Sequence, residues 1–131
     1  MSDKIPQELD WVTTRSKCSL YEMFIILRNE VKDDVKKRNE SRRSGEQVVF
    51  EVGAESSKGF SVFRAGALKS PSCTDFQFSE TGISVSDGDR VLLTATITLN
   101  EEGRCKFVVN GKELENWQLR RLALEQFFFK L

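Results

Sequence analysis

The chain contains no histidine among its 131 residues, and this absence excludes most catalysis that depends on a neutral side-chain base. Histidine is the base in Ser-His-Asp and Cys-His catalysis, and it is a frequent metal ligand. The cysteines, Cys18, Cys73 and Cys105, are too far apart in sequence for the C-x-x-C pairs of closed zinc sites. We therefore predict that the chain is not an enzyme and that it binds neither a metal nor a cofactor.

Carboxylate chemistry is the one catalytic alternative that the residue types leave open. Two acids can meet in a fold from distant positions, so such a site needs no sequence motif. The 20 Asp and Glu residues make chance pairs common, which weakens any single pair as evidence. An enzyme that uses carboxylates together with Arg120 is therefore the third of three functional hypotheses.

Two charged residues, Asp34 and Arg120, fall on the apolar faces of two predicted helices. A charge buried there without a partner is strongly destabilising, so each side chain needs a partner or a path to water. Three explanations are open. Both side chains extend past the edge of the core, or they form an ion pair across one end of a sheet, or Arg120 binds an anionic ligand in a cleft between helices and sheet.

Hydrophobic spacing predicts the first element that positions these residues. A capping-box pattern, Ser19-x-x-Glu22, precedes a series of apolar residues at helical spacing, and Gly45 is typical of a helix stop. The series consists of Leu20, Phe24, Leu27, Val31 and Val35. The pattern predicts a long helix over about 19–42. Residues 1–17 show no periodicity, which predicts an irregular N-terminal arm.

Between residues 48 and 109, apolar side chains alternate with other residues at the period of β-strands. The clearest strand has one apolar face, made of Val91, Leu93, Ala95, Ile97 and Leu99. Tight-turn signals such as Asn110-Gly111 separate the alternating segments, and residues 69–74 form the least regular connection. This arrangement predicts a meander of about six antiparallel strands with one face on the core.

Asn116 is predicted to cap a C-terminal helix over about 116–130. At about 100° per residue its apolar side chains do not form one stripe, because Leu119, Leu122 and Phe129 fall on the far side from the main arc. The chain length suits one domain. The predicted fold is a single α+β domain over residues 1–131, with both helices packed on one antiparallel sheet.

The apolar residues outside the predicted core faces are interface candidates, because either the arm or another molecule has to cover them. They are Tyr21, Ile25 and Ile26 on the first helix, and Leu119, Leu122 and Phe129 on the last. The leading hypothesis is a non-catalytic binding or assembly domain that self-associates or contacts another protein. The alternative is a carrier or sensor of a small ligand held between helices and sheet.

Charge and cysteine usage restrict the other partners and the location. The 20 basic and 20 acidic residues balance, so we expect no general attraction to nucleic acid or to anionic membranes. No apolar stretch is long enough to span a bilayer. An odd number of widely spaced cysteines argues against a disulfide framework and predicts a reducing compartment, the cytoplasm.

Overall fold

The computed structural model describes residues 8–65 and 72–130, which form three helices and seven strands. The helices are α1 (Trp11–Lys17), α2 (Leu20–Glu40) and α3 (Asn116–Phe129). The strands are β1 (Val49–Ser56), β2 (Gly59–Ala65), β3 (Ser72–Ser79), β4 (Gly82–Asp87), β5 (Arg90–Leu99), β6 (Cys105–Val109) and β7 (Lys112–Leu114). All strands lie in one antiparallel sheet in chain order. The predicted α+β class with a meander and two flanking helices is confirmed.

The structure adds β7 to the strands that alternation predicts. Three residues are too few for alternation to be recognised, although the turn before them carries a clear signal. Asn110 and Gly111 have φ values of 52° and 76°, which a two-residue hairpin turn requires. Of the irregular connection predicted over residues 69–74, residues 69–71 lie outside the described part of the chain and Ser72 begins β3.

The start of α2 follows the capping-box prediction. The Ser19 hydroxyl accepts a hydrogen bond from the backbone N–H of Glu22 at 3.0 Å. From this cap the helix continues for 21 residues, buries Phe24, Leu27, Val31 and Val35 of the predicted series in the core, and packs Leu20 partly against it. None of the described helices is long and apolar enough to cross a membrane.

The N-terminal arm contains a short helix that the sequence pattern missed. The carboxylate of Asp10 caps α1 by accepting a hydrogen bond from the Thr13 N–H at 3.3 Å. With seven residues, none of them buried, α1 is too short and too exposed to show helical periodicity. The prediction of an irregular arm is therefore wrong for residues 11–17. Residues 1–7 lie outside the described part of the chain.

One hydrophobic core lies between the inner face of the sheet and helices α2 and α3. The largest side chains that are fully buried there are five phenylalanines: Phe24, Phe50, Phe60, Phe76 and Phe107. Phe60 and Phe76 lie opposite each other on β2 and β3, and their rings stack at a centroid distance of 4.6 Å. Burial of each ring stabilises the fold by about 1.5–3 kcal/mol. These rings form the centre of the core between the sheet and the helices.

The alternation in β5 is interrupted by a β-bulge. Val85 lies opposite Leu93 and Ser86 lies opposite Val91, so Leu92 is an extra residue on β5. This extra residue turns Val91 to the outer face, where it is exposed, while Leu92 packs against the core. The prediction that Val91 shares the inward face of Leu93 is therefore wrong, because a bulge leaves no mark on the hydrophobic pattern.

The last helix begins at the predicted residue but with a different cap. Glu115 is the N-cap, and its N–H donates to the side-chain oxygen of Gln118 at 2.8 Å. Asn116 is the first helical residue, and its side-chain oxygen instead accepts a hydrogen bond from Arg120 at 2.6 Å. A reciprocal capping box at Glu115 therefore replaces the predicted Asn116 cap.

Candidate functional site

Helix α3 separates two grooves on the surface of the protein. The α2–α3 groove has a volume of about 470 Å³. The α3–β7 groove lies on the other side of the helix and has a volume of about 570 Å³. Trp117, Arg121 and Glu125 line both grooves and therefore form the ridge between them.

Asp34 and Arg120 meet in the wall of the α2–α3 groove. Arg120 Nη1 donates to both carboxylate oxygens of Asp34, at 2.7 and 2.6 Å, and Nε donates to Asn116. The side chains of Arg120 and Asp34 are 16% and 25% exposed, so water screens the pair only in part. Glu30 lies 3.9 Å from Nη2. The arrangement is that of an ion pair between α2 and α3. An anion-binding role for Arg120 stays a prediction, and any anion there would compete with Asp34.

A second arginine, Arg38, joins the same two helices and was missed by the sequence analysis. It is only 5% exposed. Its Nε donates to the backbone oxygen of Phe128 at 3.0 Å, and its Nη1 donates to Glu46 at 3.2 Å. It thus satisfies a free carbonyl in the last turn of α3, where a positive charge is also favoured by the helix macrodipole. The sequence spacing could have predicted this burial, because Arg38 follows Val35 by three residues and continues the buried series of α2.

The six predicted interface residues differ in their exposure to solvent. Leu119 is fully buried in the core, and Ile25 is partly buried and packs against the same core. The assignment of Leu119 to the far side of the helix is wrong. Leu119 precedes Ala123 by one turn and Phe127 by two turns, and all three side chains lie on the buried face of α3.

The other four interface candidates are exposed, but they lie on two separate helices. Tyr21 and Ile26 lie on the first two turns of α2. Arg120 of α3 contacts α2 at Glu30 and Asp34, which lie four and eight residues beyond Ile26, or about 6 and 12 Å of helix. On α3, Leu122 and Phe129 are 56% and 66% exposed.

Trp117 joins Leu122 and Phe129 on the free surface of α3. Trp117 is 53% exposed. It lies in the first turn of α3 and borders both grooves. The exposed surface of α3 therefore carries three large apolar side chains.

A polar cluster on the outer face of the sheet contains two potential nucleophiles, Ser61 and Cys73. The Ser61 hydroxyl donates to Asp75, and the Cys73 sulfur lies 3.7 Å from both oxygens of the same carboxylate. Burial raises the pKa of the Cys73 thiol, and the negative charge of Asp75 raises that pKa further. Because the thiolate is the reactive form, this environment makes Cys73 a weaker nucleophile than an ordinary cysteine.

The acids with clearly shifted pKa values do not have the raised pKa of a catalytic acid. Hydrogen bonding from Lys37 lowers the pKa of Asp33, and hydrogen bonding from Lys106 lowers the pKa of Glu115. A general acid at neutral pH would instead need a raised pKa. Among residues 8–65 and 72–130, no group of three or more Cys, Asp or Glu side chains is placed to hold a metal ion.

Cys18 and Cys105 form a disulfide, which overturns the argument against such a bond. They are 87 residues apart in sequence, and spacing alone could not show that the start of α2 and β6 meet. The bond ties the α1–α2 junction to the β5–β6 hairpin. The third cysteine, Cys73, is a free thiol.

Comparison with known proteins identifies no relative of this chain. It has no significant match among protein-family models, among curated proteins or among solved structures. Its function is therefore inferred from its own residues.

Proposed function

We propose that this chain is a non-catalytic assembly domain that self-associates through the outward surface of α3. The observation that carries this proposal is the exposure of Trp117, Leu122 and Phe129, each more than half exposed, on one 14-residue helix. Leaving such side chains in water forgoes about 25 cal/mol per Å² of apolar surface that a partner could bury. Tryptophan and other aromatic residues are also enriched at the centres of protein interfaces.

The charges between these apolar residues favour a second copy of the chain as the partner. Arg121 and Glu125 lie on the ridge between the two grooves and form an exposed ion pair, with an Nε to Oε2 distance of 3.1 Å. A surface with one positive and one negative group can match an identical surface, whereas a surface of one sign would repel it.

A small-ligand carrier is the second candidate, and the α2–α3 groove is the observation that favours it. Its volume of about 470 Å³ lies within the range of small-ligand sites, and Trp117 and Arg120 both line it. Against it, the core holds fully buried phenylalanine rings, and Nε and Nη1 of Arg120 already donate to Asn116 and Asp34. The carboxylate enzyme stays third, because neither acid with a shifted pKa has the raised value that acid catalysis needs.

The cytoplasmic location stays a proposal, and one observation opposes it. Disulfides such as Cys18–Cys105 persist in oxidising compartments and are rare in the reducing cytosol. The bond joins the α1–α2 junction to β6 and includes no residue of the α3 ridge. The proposed self-association is therefore compatible with either an oxidising compartment or the cytoplasm.

A concentration series with static light scattering tests the proposal on the full chain. We expect the apparent mass to rise from 15.0 kDa toward twice that value as concentration increases. Leu122→Lys should keep the chain monomeric, because it places a charge in the apolar surface. Val91→Lys is the matched control, since Val91 is similarly exposed but lies on the outer face of the sheet.

Two results would contradict the proposal. One is a wild-type mass that stays at 15.0 kDa throughout the series. The other is an equal loss of association in Leu122→Lys and Val91→Lys, which would show that any added charge prevents contact. Circular dichroism of both variants verifies that each is folded.

A further inference from the structure

Phe129 extends the ridge of α3 by one further turn, and the four side chains follow an order that complements the same order read backwards. Trp117, Arg121, Glu125 and Phe129 follow one another at intervals of four residues and are all exposed. Residues at this spacing form a continuous row on a helix surface. The row reads aromatic, positive, negative, aromatic, so its reversal places opposite charges face to face.

We infer that two copies of the chain pair through antiparallel α3 helices related by a two-fold axis that crosses the exposed face of α3 at the level of residue 123. This inference rests on the proposed self-association and specifies its geometry. Position 123 is the midpoint both of Arg121 and Glu125 and of Trp117 and Phe129. Reversal about it places Arg121 beside Glu125 of the second copy, on both sides of the axis.

The same axis also matches the apolar side chains. Trp117 lies beside Phe129 of the second copy, and aromatic pairs are favourable contacts at interfaces. Leu122 borders the α3–β7 groove one residue from the midpoint, so the two-fold axis brings it near its own copy on that side of the ridge. The dimer thereby covers all three apolar side chains that α3 exposes.

A parallel arrangement of the two helices does not fit the charges. It would place Arg121 beside Arg121 and Glu125 beside Glu125, and like charges facing each other across an interface are strongly unfavourable. The antiparallel arrangement also has room for its side chains, because the α2–α3 groove and the α3–β7 groove flank the ridge. When the four-residue rows of two such helices interdigitate, the helix axes cross at about −50°.

Charge reversal tests the pairing of Arg121 with Glu125. We expect Arg121→Glu and Glu125→Arg each to weaken self-association about tenfold or more, since each leaves like charges opposed. The double variant Arg121→Glu/Glu125→Arg should return to within about threefold of wild type. An equimolar mixture of the two single variants should form a heterodimer, which native mass spectrometry resolves from either homodimer.

Cysteine cross-linking tests the antiparallel geometry. In a Cys73→Ser background, which removes the free thiol, Leu122→Cys should give a covalent dimer when copper–phenanthroline oxidises the two thiols. Ile26→Cys is the matched control, because Ile26 has similar exposure but lies on α2. It should stay monomeric under the same oxidation.

The outcomes separate this inference from the proposed function. If the wild-type chain is monomeric at all concentrations, the proposed self-association fails. If it associates but the single charge reversals have no effect, or Ile26→Cys cross-links in place of Leu122→Cys, self-association stands and the antiparallel α3 pairing is overturned. Cross-linking at Leu122 together with rescue by the double reversal supports the pairing.

Discussion

Arg120 in α3 and Asp34 in α2 form a partly buried ion pair in which one guanidinium nitrogen donates to both carboxylate oxygens. Removing one partner leaves the other charge short of water and of hydrogen bonds, so we expect Arg120→Met and Asp34→Asn each to lower the free energy of unfolding by about 1–3 kcal/mol. A double-mutant cycle by urea denaturation, on dilute protein, measures the coupling, which should reach about 1 kcal/mol.

The exposed pair Arg121–Glu125 is the control for that cycle. Its side chains are mostly in water, so its coupling in the monomer should stay below about 0.5 kcal/mol. Equal coupling energies in the two pairs would show that the partial burial of Asp34 and Arg120 has no effect on stability.

Asn39 protects the free edge of the sheet. Its side chain donates to the backbone oxygen of Phe50 at 2.8 Å and accepts from the Phe50 N–H at 2.9 Å, in place of a neighbouring strand. We expect Asn39→Ala to lower stability by about 1–3 kcal/mol, because two backbone groups lose their partners. The uncovered edge should also promote aggregation, measured by turbidity on heating.

Asn29→Ala is the matched control, since Asn29 is exposed on the same helix. Its stability should change by no more than about 0.5 kcal/mol. The protective role of Asn39 would be refuted by equal thermal melts and equal turbidity for the two variants.

The disulfide between Cys18 and Cys105 closes a long loop, so its removal should destabilise the chain. We expect Cys18→Ser to cost about 2–4 kcal/mol of unfolding free energy, mainly because the unfolded chain gains freedom. Cys73→Ser is the control and should change stability little. Thiol titration in denaturant should find one free thiol before reduction and three after it. Three thiols before reduction, in protein produced under oxidising conditions, would contradict the bond.

The pKa of Glu115 makes part of the stability depend on acidity. A hydrogen bond from Lys106 lowers the pKa of this carboxyl group, with further lowering by the charges of Lys106 and Arg104. A lowered folded-state pKa means that the contribution is present above the ordinary Glu pKa of about 4.3 and is lost as the pH falls through the folded value. Glu115→Gln should therefore flatten the acid side of the stability curve.

Thermal melts between pH 2 and 7 measure this effect, with Glu102→Gln as the control in the exposed turn after β5. The Glu102 variant should follow the wild-type curve. The assignment to Glu115 fails if Glu115→Gln loses stability on acidification as steeply as wild type does.

Local signals predicted most of the architecture. The Ser19 cap, the alternation of β1 to β6 and the turn at Asn110 each depend on residues close in sequence, so they are visible without a fold. The shortest elements, α1 and β7, were missed because α1 buries none of its seven residues and β7 has only three, so neither shows a recognisable apolar period. The candidates Asp34 and Arg120 followed from charges on apolar helix faces.

The sequence by itself determined the order of the major elements, the inward face of most strands and the exposure of Leu122 and Phe129 on α3. The tertiary structure alone decided which distant residues meet: Cys18 with Cys105, and Arg38 with the end of α3. It also decided that Leu119 enters the core while Trp117 faces solvent. The physical reason is that periodicity records how a segment repeats along its own axis, whereas these contacts depend on how separate elements are placed against each other.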